Sequence, residues 1–255
     1  MKLKASLKRA ARLTLIGLRN GFYRLFGHKD YQKFIIITRS RTGSNLLISL
    51  LDSHPNIEAY GEMFNRLHGR ASQRVWNGVF GFKSKSIQLV GFKIFYYHPL
   101  DADDNWVWDR VYNDISIPII HLTRTNLLRT YLSRQIADKT HVWRDEKGNK
   151  AVDTEDKRVT LDPDECKAEF IKTEKWVKEA DACIVGHRVL QVTYEELTGD
   201  GQEACLNRIQ EFLKVNPLKL SSGMNRQNAE DIEKLVLNYD ELARSLKGTE
   251  WERFL

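Results

Sequence analysis

With 255 residues, 42% hydrophobic and 10% aromatic, the chain can bury one sizeable core. Its three cysteines, Cys166, Cys183 and Cys205, stand far apart with no CxxC pair, which argues against a zinc site or a disulfide framework and fits a reducing, cytoplasmic setting. The formal net charge of +6 is uneven: residues 1–29 hold eight of the 40 Lys and Arg and none of the 34 acids, so the remainder is slightly acidic and nucleic-acid binding is not expected.

Within that basic segment Leu3, Leu7, Ala10, Ala11, Thr14, Leu18, Phe22 and Leu25 recur at helical spacing. Residues 1–30 are therefore read as a basic amphipathic helix preceding one domain, residues 31–255. Such a helix either lies on an anionic surface, as a peripheral contact with the inner membrane, or packs on its own domain or on a second copy, so a homo-oligomer stays open. Its longest uncharged run, residues 13–18, is too short to span a bilayer, and no cleavage site marks a secretory signal.

The next segment, FIIITRSRTGSN at Phe34 to Asn45, is an apolar run that breaks into a basic, hydroxyl-rich loop. Leu46, Leu47, Leu50 and Leu51 follow at helical spacing, which sets the loop between a buried strand and a helix N-terminus. Free N–H groups and the positive end of the helix dipole favour a phosphate there, and Gly43 allows close backbone approach. A nucleoside triphosphatase loop would need a second glycine and a Lys-Ser/Thr pair. Neither is present, and Asn45 stands where a hydroxyl would grip magnesium, so a metal-assisted kinase or other phosphotransferase is the weaker alternative.

Three more apolar runs, residues 89–95, 118–122 and 189–193, join residues 34–38 as strands covered on both faces. The run at 118–122 opens a second strand, basic turn and helix, IPIIHLTRTNLLRTYLSRQIA at Ile117 to Ala137. A further helix starts at Asp162, with Pro163 in its first turn, Glu165 as a capping-box acid, and Cys166, Phe170, Thr173, Val177, Ala180 and Ile184 along one face; Cys166 and Cys183 are assigned to the core. The polar stretch 144–162 reads as a loop. The pattern predicts an α/β fold: a single domain with a mostly parallel central sheet flanked by helices, P-loop-like, with its ligand at the C-terminal ends of the strands.

RTGSN at Arg41 to Asn45 resembles the 5′-phosphosulfate loop of the sulfotransferases, a basic residue, Ser or Thr, Gly and two small polar residues. Arg124 and Ser133 resemble that family's 3′-phosphate pair, with the serine one place further along than in cytosolic members, as expected of the bacterial carbohydrate and nodulation-type branch. SHPNIEAYGEMFN, VGFKIFYYHPL and VLQVTYEELTGD extend the resemblance, in order, from about Lys33 to the C-terminus.

The resemblance implies the sulfotransferase fold and transfer of a sulfuryl group from PAPS, 3′-phosphoadenosine 5′-phosphosulfate, to a carbohydrate or glycolipid hydroxyl, with no metal. It gives Arg41 the leaving 5′-phosphate and the bridging oxygen, the N–H groups of Thr42, Gly43, Ser44 and Asn45 the phosphate itself, and Arg124 with Ser133 the 3′-phosphate. Glu62 matches a glutamate base of bacterial members, while His98 stands near the histidine of cytosolic ones. Lys93 either touches the sulfonate or pairs with an acid, and Glu62 otherwise pairs with Arg39 or Arg66. His54 closes the first helix, Glu195 orders loops, and Tyr194, Arg226 and Gln227 stand near the adenine or 3′-phosphate. A relative that only binds PAP, the desulfonated donor, or sulfated glycans is the remaining alternative.

Overall fold

Five strands run parallel in the order β2-β3-β1-β4-β5, with β1 (Gln32–Thr38) at the centre. They are β2 (Ile57–Glu62), β3 (Leu89–Phe95), β4 (Ile119–Thr123) and β5 (Val189–Thr193). The computed structural model describes residues 23–143, 152–225 and 227–255. The N-terminal helix expected over residues 1–30 lies outside them up to residue 22, and Arg226 is also outside. Among the described residues no helix is long and apolar enough to cross a membrane.

The helices are α1 (Ser44–Asp52), α2 (Ser72–Val79), α3 (Trp106–Asn113), α4 (Leu127–Thr140), α5 (Thr154–Lys157), α6 (Pro163–Cys183), α7 (Tyr194–Thr198), α8 (Gln202–Phe212), α9 (Ile232–Leu235) and α10 (Tyr239–Leu246). Alternation along β1 splits its apolar residues between two layers. Ile35 and Ile37 join Trp76, Val107 and Ala180 beneath α2, α3 and α6, whereas Phe34 and Ile36 join Leu47, Leu51 and Ile209 beneath α1 and α8. A third cluster ties α4 and α6 to the C-terminal helices through Leu128, Phe170, Leu242 and Phe254.

The strand missed by sequence reading is β2, an edge strand whose IEAYGE interleaves two acids and a glycine instead of forming a continuous apolar run. It bulges between Tyr60 and Glu62. The cap of α6 is as expected at Asp162, whose carboxylate accepts from the N–H groups of Asp164 and Glu165 at 2.8 and 3.0 Å. Glu165 turns instead to the Tyr131 hydroxyl. Cys166 is buried as expected, but Cys183 is exposed because it lies in the last turn, past the covered face. The stretch read as a loop contains α5, and Val159 pairs its backbone with Leu235 and Leu237, which draws Leu161 into the core.

Because the chain leaves β1 toward one edge and β4 toward the other, the ends of these central strands open a crevice. A buried ion triad braces it. Glu169 of α6 accepts from Arg39 Nη2 and Arg134 Nη1, each at 2.8 Å, and Arg39 also donates to Thr173. Arg39 follows β1 directly and Arg134 adjoins Ser133, so one carboxylate holds both walls of the crevice. Replacing it leaves the buried Arg39 guanidinium without its counter-charge, which costs about 3 kcal/mol or more. Glu169→Ala should lower the unfolding free energy by that amount, seen as a lower denaturant midpoint with an unchanged slope; an unchanged midpoint would contradict the bracing role.

Candidate functional site

The loop after β1 is shaped by two residues in left-handed backbone, Arg41 at φ 69° and Gly43 at φ 79°. For Arg41 that conformation costs about 1 kcal/mol or more, a strain of the kind that gathers at functional sites. Thr42 is buried beneath the loop, its hydroxyl paired with Thr38 at 2.6 Å and with the Arg39 carbonyl at 3.0 Å. No side chain caps α1, so the amide end of that helix faces the crevice. Gly43 is required twice over, by its φ and by Tyr194, whose Cδ2 would lie 2.6 Å from a Cβ added there.

Arg41 and Arg124 converge on a cleft of about 260 Å³, bordered by Gly43, Ser44, Ser133 and Tyr194. The Arg41 side chain turns across it: Nε donates to Ser133 Oγ at 2.9 Å, Nη2 to Gln227 Oε1 at 2.7 Å, and Nη1 to the Trp143 carbonyl at 2.9 Å. Arg124 Nη1 donates to the Arg41 carbonyl at 3.2 Å, and its guanidinium lies 4.1 Å from the Tyr194 ring centroid. Burial, followed by repulsion from Arg124, pushes the Arg41 pKa down to about 10. It remains a cation at neutral pH. Two half-buried guanidinium groups, a serine hydroxyl and a helix N-terminus together suit a ligand carrying more than one phosphate.

Glu195 plays the ordering part expected of it, accepting from Thr125 N–H at 3.1 Å and Asn126 N–H at 3.5 Å. Asn126 in turn caps α4, which carries Ser133. His54 closes α1, its ring bonded to the Asn216 carbonyl and the Asn56 N–H.

On the other side of the loop stand Lys93, Glu62 and His98. Lys93 is fully buried; its Nζ donates to Ser44 Oγ at 3.0 Å and Asn45 Oδ1 at 2.8 Å and pairs with Glu62 Oε1 at 3.2 Å. Glu62 therefore pairs with Lys93, and Arg39 is taken by Glu169. Its other oxygen accepts from Asn65 at 2.7 Å. Burial alone would raise this carboxyl, but Lys93, Asn65 and His98 outweigh it and hold the pKa below the usual range. The side chain of Glu62 is 21% exposed, whereas His98 is 3% exposed with Nδ1 accepting from the Phe95 N–H at 3.3 Å. Among the described residues no three His, Cys, Asp or Glu side chains gather as a metal site.

Sequence reading did not find Thr198, Gln202, Met224 and Asn225, which line the cleft beside Gln227. They come from α7, α8 and the segment before α9; Thr198 lies within VLQVTYEELTGD but without a chemical signal of its own, and only the tertiary fold brings the four to the loop.

No family model matches the chain. It is 25% identical over 241 residues to Nodulation protein H of Rhizobium tropici, an alignment covering 88% of this chain and 92% of that protein. Among solved structures it is similar to the sulfotransferase from Alicyclobacillus acidocaldarius, with a TM-score of 0.46 and 12% identity over 84% of this chain and 93% of that one.

Gly43→Ala meets both the positive φ and the Tyr194 ring, so it should displace the loop and weaken binding of PAP about tenfold or more by calorimetry, with the far-UV spectrum unchanged. Retained affinity would show that the loop backbone does not form the site.

Proposed function

We propose that this chain, a sulfotransferase related over most of its length to Nodulation protein H, carries the sulfuryl group of PAPS to a hydroxyl of a carbohydrate or glycolipid. The observation that carries this reading is the 2.9 Å bond from Arg41 Nε to Ser133 Oγ. It joins the two phosphate-binding motifs across the crevice, so both can serve one ligand with a phosphate at each end.

In this reading the amides of Thr42, Gly43, Ser44 and Asn45 with Arg41 hold the 5′-phosphate, and Arg124 with Ser133 holds the 3′-phosphate. Arg41 spans the two. The acceptor oxygen bonds to sulfur as the sulfur–oxygen bond to the 5′-phosphate breaks; PAP leaves and the hydroxyl proton passes to a base. The transition state is loose and spreads charge over peripheral oxygens, as in phosphoryl transfer, so the protein supplies position, charge and a proton acceptor. Lys93 serves the sulfonate in this reading, which its bonds to Ser44 and Asn45 of the loop support.

Glu62 is the base we assign. It is more open than His98 and adjoins the loop through Lys93, while His98 contributes to holding the carboxyl ionised. The basic segment 1–29 would hold the enzyme in the cytoplasm against an anionic membrane near lipid-borne acceptors.

Three outcomes are expected with labelled PAPS and a panel of glycan acceptors. Glu62→Gln loses about 100-fold or more in kcat with PAP affinity intact, the range for losing a general base. His98→Asn loses less. The acid limb of the wild-type pH profile lies below the ordinary carboxylate range and moves up in Lys93→Met, because removing the neighbouring cation raises the Glu62 pKa. Full turnover in Glu62→Gln would reject it as the base, and a chain that binds ATP with magnesium but not PAP would reject the donor.

A further inference from the structure

The edge strand β2 carries two carboxylates, Glu58 and Glu62, and each is paired with a fully buried lysine. Glu58 Oε2 lies 3.2 Å from Lys83 Nζ, which also donates to the Tyr60 hydroxyl at 2.8 Å. Glu62 Oε1 lies 3.2 Å from Lys93 Nζ. In a regular strand residues 58, 60 and 62 share one face. Here they do not. Tyr60, whose hydroxyl bonds Glu58, packs with Val90 and Phe92 beneath α2 and α3, while Ile57 and Ala59 pack with Leu89 beneath α1. Lys93 belongs to the α1 face, since it bonds Ser44 and Asn45 at the start of that helix. Glu62 meets it there, one step out of the alternation that Glu58 and Tyr60 set.

The pairing with β3 accounts for the step. Glu58 stands opposite Val90, Ala59 opposite Gly91 and Tyr60 opposite Phe92, but Lys93 is met by Glu62, so Gly61 is an extra residue with no place of its own in the ladder. Its carbonyl accepts from the Met63 N–H at 2.8 Å, which turns the chain away at once and leaves Glu62 as the last residue of the strand. Bulges are rare in parallel pairing and gather beside functional sites, where they re-aim a side chain. Gly61 is buried and brings no side chain of its own to lie beside that of Glu62 over Lys93.

We propose that Gly61 is a positioning residue for the transfer step: as the extra residue of the β2 bulge, it turns the Glu62 carboxylate from the face of Tyr60 and Lys83 to the face of Lys93 and the phosphate loop. This rests on the assignment of Glu62 as the base and adds what aims it. One short strand thereby holds a structural carboxylate and a reactive one on opposite faces of the sheet.

The test is Gly61→Val in the full chain, because a β-branched residue favours the regular pleat and would take the ladder place opposite Lys93, sending Glu62 to the Tyr60 face. The Glu62 carboxyl is followed by carbon NMR, its signal assigned by its absence in Glu62→Gln. In the otherwise wild-type chain Lys93→Met should raise the proton affinity of Glu62 about tenfold or more; in the Gly61→Val chain Lys93→Met should leave it unchanged. With labelled PAPS and the panel of glycan acceptors, Gly61→Val should lose about 100-fold or more in kcat with PAP affinity unchanged, and adding Glu62→Gln should cost nothing further. Deletion of Gly61 restores an unbroken ladder with Glu62 still opposite Lys93, so it should turn over faster than Gly61→Val. The proposal is overturned by wild-type turnover or lost PAP binding in Gly61→Val, by a Glu62 that still responds to Lys93→Met there, or by a further loss in the double variant. A deletion variant that binds PAP yet is no more active than Gly61→Val would overturn it too. Full turnover in Glu62→Gln alone would instead overturn the base assignment on which it rests.

Discussion

Everything in the crevice depends on holding two half-buried guanidinium groups close to each other. Arg41 and Arg124 repel, and burial adds to the strain by lowering the Arg41 pKa to about 10. Among the groups that hold them are Ser133, Gln227 and the Trp143 carbonyl for Arg41, and the Arg41 carbonyl with the Tyr194 ring for Arg124. An anion bound between them would relieve the repulsion and gain charge-assisted hydrogen bonds, so the cleft is organised for its ligand before binding. The left-handed backbone at Arg41 and Gly43 and the Glu169 triad are the structural means by which the fold keeps it so.

Lys93 applies the same logic on the other side of the loop. It is a buried cation with a carboxylate on one side and two loop side chains on the other, so the charge of Glu62 and the geometry of Ser44 and Asn45 are coupled through one ammonium. A ligand that draws Lys93 toward the loop would weaken its hold on Glu62 and raise the proton affinity of that carboxylate. A carboxylate held this way is ionised at neutral pH.

The parts of this arrangement that could be read from sequence are those in which the chemistry follows directly on an apolar run. FIIIT before RTGSN and IPIIHLT before Arg124 mark strand, turn and helix by hydrophobicity alone, and four of the five strands follow from such runs. β2 does not, because an edge strand with Glu58, Gly61 and Glu62 has no continuous apolar run, and so the position of Glu62 next to Lys93 was not foreseen. The partner of Arg41 was also hidden. Whether its guanidinium turns toward its own loop or toward Ser133 depends on the φ of one residue and on a packed helix, neither of which has a local signal. Thr198, Gln202, Met224 and Asn225 are hidden for a related reason: they belong to three late segments and meet only in the folded cleft.

The central claim, that Arg41 and Ser133 act as one unit serving both phosphates, is tested most directly by a double-mutant cycle on PAP affinity, using Arg41→Ala, Ser133→Ala and the pair, with adenosine 5′-phosphate as the ligand lacking the 3′ group. The account predicts strong coupling for PAP, with the double variant little worse than Arg41→Ala alone, and weak coupling for adenosine 5′-phosphate. Additive losses for PAP, or equal coupling for both ligands, would contradict it.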